Sequence, residues 1–145
     1  RALRDLRRRR QPVEPDMIKT HARAPLITSQ SVPAGNTVAG VADCVAVDGG
    51  MITWRTTNGA TGPTAQMVVQ VLVAHFQSPA PTAAAEGVED LAWKIVHEVG
   101  GGVAANQTVR GNYIFGPEVA HIQVRASGHT GQAVTAEAHI TTFNY

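Results

Sequence analysis

The chain is 145 residues long, enough for one domain with a single core, and only 16% of it is charged against about 25% in an average soluble domain. Its net charge of +1 is unevenly laid: residues 1–10 carry six arginines against Asp5, whereas residues 11–145 carry six basic and ten acidic side chains. A mildly negative body excludes the usual build of a nucleic-acid-binding domain, the single Cys44 excludes an intrachain disulfide, and no apolar run reaches the roughly 18 residues of a membrane-crossing helix.

Residues 1–16, RALRDLRRRRQPVEPD, read as an arm. Leu3 and Leu6 allow one helical turn, and Pro12 and Pro15 stop it from extending. The arm's charge belongs to Arg1, Arg4, Arg7, Arg8, Arg9 and Arg10, guanidinium groups suited to an acidic protein surface or, without sequence reading, to phosphates. No apolar segment follows these arginines, so no secretory signal is expected there. Residues 17–36, interrupted by Pro25 and Pro33, read as extended, either an added edge strand or a segment lying across another subunit. The division expected is therefore an arm over 1–36 and a β-sandwich over 37–145.

From Thr37 the apolar pattern has a period of two. Asp48-Gly49-Gly50 offers the positive φ of a tight turn, which predicts a hairpin of Val41–Val47 and Met51–Thr57. In that register Asp43 faces Arg55 and Cys44 faces Trp54, charge against charge on one side and core on the other. The stretch AQMVVQVLVAHFQ is apolar on both faces and reads as a central strand or as one with a face against a partner. A Pro/Ala-rich loop then leads to a strand over Leu91–Val99, ended by Gly100-Gly101-Gly102. Another strand covers Thr108–Phe115. The last thirty residues predict a second hairpin with Val124 opposite Ala136, Gln123 opposite Glu137, His121 opposite His139 and Gly128–Gln132 as its loop. About seven short antiparallel strands with Gly/Pro-rich turns and almost no helix give an all-β antiparallel sandwich or jelly roll.

Signs of chemistry are few. His121 and His139, as a facing pair, are the best metal candidates, but structural zinc takes four ligands and Glu137 belongs to the next pair along, so no metal and no cofactor is expected. His75 and His97 lie in apolar strands and read as hydrogen-bonded core or interface residues, while His21 and His129 read as exposed. There is no nucleophile elbow, no zinc-protease motif and no phosphate-binding loop, and the chain is not expected to be an enzyme. Asn106-Gln107-Thr108 fits a glycosylation sequon. For a sugar-binding module, Trp54 and Trp93 read as buried, leaving Tyr113, Phe115 and Tyr145 as the available platform.

A Thr/Ala/Val-rich sandwich, poor in charge and preceded by a proline-broken arm, argues for assembly, because an extended arm can pair its backbone with a neighbour's sheet. In this general build, over residues 17–145, the chain resembles small virion proteins of tailed bacteriophages, above all the capsid decoration or cement proteins built on β-sandwiches or jelly rolls. The resemblance brings no site residue with it. It implies an oligomeric accessory protein located on the capsid surface and in the host cytoplasm during assembly, and the apolar strand faces and the proline-rich arm point to a homo-oligomer, a dimer or trimer. Its partners would be the major capsid protein or other virion subunits, with no membrane involved. A tail or collar protein or a carbohydrate-binding sandwich is the alternative, and docking of the arm on protein is favoured over nucleic acid, with a merely solvated tail as the third reading.

Overall fold

The computed structural model describes residues 20–75 and 93–144. They form eight strands and no helix: β1 (Thr20–Val32), β2 (Val38–Asp43), β3 (Gly49–Asn58), β4 (Val68–Ala74), β5 (Lys94–Gly100), β6 (Thr108–Phe115), β7 (His121–Ser127) and β8 (Val134–Asn144). One sheet has the order β1-β8-β3-β6 and the other β2-β7-β4-β5.

Every pairing is antiparallel, and four of them are nested: β4 with β5, β3 with β6, β2 with β7 and β1 with β8. The chain is thus one long hairpin folded back over itself, with β3–β8 and β4–β7 contacts completing the two sheets. This is the strand order of a jelly roll. The expected all-β sandwich is what the chain forms.

The core lies between the two inner faces. Ile52 and Trp54 of β3 and Val134, Ala136, Ala138 and Ile140 of β8 meet Val69, Val71 and Val73 of β4 and Ile122, Val124 and Ala126 of β7. Alternation along each strand sends the intervening residues outward. β4 is flanked by β7 and β5, so it is central, as its two apolar faces require. Its outward Leu72 and Ala74 are covered by Trp93, with Ile95 packed against them. Gly111 lies opposite Trp54, and a Cβ there would collide with the indole, so the large core ring depends on the missing side chain across from it.

Two expected hairpins do not form. β2 and β3 belong to different sheets, and so do β7 and β8. Asp43 pairs with His121 rather than Arg55, and Val124 and Ala136 join the same core from different sheets instead of pairing along a hydrogen-bonded ladder. Both connections are corners. At the first, the Cys44 amide donates to Ala120 O at 2.8 Å and the Asp48 amide to Phe143 O at 3.0 Å, tying the corner to both sheets. At the second, the His129 ring is fully buried, and its Nε2–H donates to Val32 O at 2.9 Å. That corrects the exposed position expected for His129: a loop histidine becomes interior because it closes the end of the sandwich beneath β1.

Of the two readings of residues 17–36, the edge strand describes Thr20–Val32. β1 pairs with β8 from Thr20↔Asn144 to Val32↔Val134, with register shifts beside Ile27. Pro25 is tolerated because β1 is an edge, where one row of amides is unpaired. Ile27 and Val32 enter the core, so this stretch belongs to the sandwich.

Candidate functional site

The outer face of the β1-β8-β3-β6 sheet collects charge. Trp54, Thr56 and Asn58 of β3 are buried, which sends Thr53, Arg55 and Thr57 to the other side. On β8, with Ala136, Ala138 and Ile140 buried, Glu137 and His139 share that outer face, and on β6 it carries Arg110, Asn112 and Ile114. Register sets them in rows: Glu137–Arg55–Arg110, then His139–Thr53–Asn112, then Thr141–Met51–Ile114. Arg23 of β1 pairs with Thr141. Together Arg23, Thr53, Arg55, Arg110, Glu137 and His139 line an open cavity of about 300 Å³ whose floor is β3 at Trp54.

Three of the four described arginines therefore converge on one groove. Arg55 Nη2 donates to Glu137 Oε1 at 2.6 Å. Arg110 stands directly across the β3–β6 ladder from Arg55, an arrangement of like charges that costs a sheet stability. No ion pair joins Arg23 or Arg110 to another described residue. Three guanidinium groups against one carboxylate leave the groove positive, in a chain whose residues 11–145 are net negative. Guanidinium forks in such a setting bind oxyanions, with bidentate geometry available for a carboxylate.

The residues singled out from sequence scatter. Arg1, Arg4, Arg7, Arg8, Arg9 and Arg10 lie outside the described residues, as does Tyr145. His121 and His139, expected to face one another, are in opposite sheets: His121 is buried beside β2 and β4, while His139 opens into the groove. Among the described residues no three His, Cys, Asp or Glu side chains are grouped to hold a metal. His75 is exposed, its Nδ1–H donating to Glu118 O at 2.7 Å. His97 is half-buried between Trp54 and Tyr113, with ring centroids 5.5 and 5.9 Å away. The aromatic platform is corrected too: Phe115 is buried and Tyr113 stacks on His97, so neither ring lies free on the surface, and Trp54 and Trp93 are core as expected. Cys44 is also core, and burial, helped by the charge of Asp43, pushes its thiol up from 9.0 to about 11.

The groove itself was missed in the sequence. The expected hairpins place Arg55 against Asp43 and Glu137 against Gln123, and neither hairpin forms. The available signal was the alternation in ITWRT and AEAHIT, which turns Arg55, Glu137 and His139 outward without saying that their strands adjoin.

No family model and no curated protein matches the sequence. By fold, the chain is similar to a chain in the structure of infectious bursal disease virus Gx strain, with TM-score 0.54 and 11% identity over 91% of this chain and 35% of that one. This chain thus spans about 35% of the viral chain's length. It is also similar to the K3 cleaved adhesin domain of Lys-gingipain from Porphyromonas gingivalis w83, with TM-score 0.46 and 11% identity over 84% of this chain and 73% of that one. A third similar structure is that of Bacillus endospore appendages, disulfide-linked pili, with TM-score 0.43 and 13% identity over 88% and 90%. At these identities the likeness is one of fold.

Proposed function

We propose that this chain is a non-enzymatic structural protein of a virion, a decoration or cement subunit that binds neighbouring capsomers and stabilises the shell. The observation that carries the reading is the nested strand order of the jelly roll, together with its likeness at TM-score 0.54 to a chain of a virus structure. A sandwich closed at its corners offers its outer faces and its edge strands to neighbours, and the six arginines of residues 1–10 add positive charge for an acidic partner. In this reading the chain assembles as a dimer or trimer and its arm docks on an acidic capsid surface. Burial of Phe115 and both tryptophans takes away support from the carbohydrate-binding alternative. The test is co-fractionation with particles and imaging of its position on them. Heads that carry the protein should survive heat or chelator better than heads stripped of it, and a protein absent from every particle fraction would end the reading.

A further inference from the structure

We infer that the outer face of the β1-β8-β3-β6 sheet is a docking surface for an acidic segment of another protein, whose carboxylates sit on Arg23, Arg55 and Arg110. The inference deepens the structural reading above and takes from it only that the chain works by binding a protein. Its basis is a conflict in the sheet. Arg55 and Arg110 are direct cross-strand partners, Glu137 neutralises only Arg55, and Arg23 adds a third positive group to the same cavity. A sheet selected for stability alone would separate these charges. A bound carboxylate on Arg110 beside Arg55 offsets that repulsion.

Two features favour a protein over a nucleic acid. Glu137 stands inside the cluster, which opposes a phosphate backbone more than a single carboxylate, and the negative body offers no basic track leading away from the groove. The second is apolar. Ile114 is 71% exposed and Met51 36%, and they are cross-strand partners on this same face, four residues along β3 from Arg55, or roughly 13 Å at the rise of a strand. Arginine and methionine beside an exposed aliphatic side chain are the composition of a protein interface. The fitting ligand carries an apolar residue about four positions from the acids that meet Arg55 and Arg110 in an extended chain.

The probe is the peptide Leu-Ser-Ser-Ser-Glu-Glu-Glu, titrated into the isotope-labelled full chain and followed by NMR. Signals of Arg23, Arg55 and Arg110 should move, with the Ile114 methyl moving in the same titration, and the shifts should fade at about 0.5 M salt. Arg110→Ala should weaken binding about tenfold, as loss of a charge-assisted hydrogen bond does. Arg110→Lys should fall between the two, keeping the charge but not the fork. Replacing the leucine by serine should weaken binding and leave Ile114 still. Shifts confined to the arm, no shift at all, or stronger binding at the groove by an oligothymidylate than by the peptide would each overturn the inference. Attachment to particles tests the whole chain and stays positive if the arm alone suffices, so the two readings can fail separately.

Discussion

Cys44 occupies the corner where the chain crosses from one sheet to the other, and its chemistry follows from that place. The thiol is 1% exposed, and its ionisation is pushed up to about 11 from 9.0 by burial first and by Asp43 second. The folded state therefore holds its proton more tightly than the unfolded chain does. Stability from this group is complete below pH 9 and drains away as pH rises toward 11, by an amount on the order of 2 kcal/mol. Urea unfolding between pH 8 and 11 should show this loss, and Cys44→Ala should flatten the slope. Labelling of the native thiol should be slow, limited by opening of the corner. At Gly111 the demand is steric: Gly111→Ala brings a Cβ into the Trp54 indole and should cost about 1–3 kcal/mol, the range for overpacking a core. A variant as stable as the parent would mean that Trp54 has another place to go.

At the scale of elements, the strands were legible in the sequence and their neighbours were not. Thr108–Phe115 has the ends that period-two reading gave it, and Cys44, Trp54, Val124 and Ala136 are all interior. Alternation reports which side chains face the core. It is silent on whether the strand opposite is hydrogen-bonded alongside or stacked across the interior roughly 10 Å away. The two expected hairpins rest on that ambiguity, because Asp48-Gly49-Gly50 and the glycines at 128 and 131 suit a corner as well as a hairpin. The groove was lost with the pairings, since outward charges become neighbours only when their strands do. A double-mutant cycle separates the two topologies. Arg55 and Glu137, 2.6 Å apart on adjacent strands, should couple by roughly 0.2–1 kcal/mol, modest because the pair is exposed. Arg55 and Asp43, in different sheets, should not couple at all. The reverse result would restore the first hairpin.

For the whole molecule, the strand order determines which cuts the sandwich survives. β1 lies at an edge, yet it closes the pair β1–β8 and sends Ile27 and Val32 into the core, so removal beyond residue 19 takes away sandwich. Val32 also receives the buried His129 hydrogen bond, which ties the end of β1 to the β7–β8 corner. Removal of residues 1–16 stops short of β1, and that variant should unfold in urea with the parent's midpoint. If the arginines attach the chain to an acidic partner, the same deletion should weaken particle binding at low salt, and the difference should shrink as salt screens the exposed charges over about 10 Å. Replacing Arg7, Arg8, Arg9 and Arg10 with alanine should reproduce most of the loss, because these four hold the densest charge. Deletion that unfolds the protein would extend the sandwich into residues 1–16. Unchanged attachment at low salt would transfer the whole task to the groove and the sheet edges. Steeply salt-dependent binding of nucleic acid by the intact chain, absent after the deletion, would instead turn the arm toward the genome.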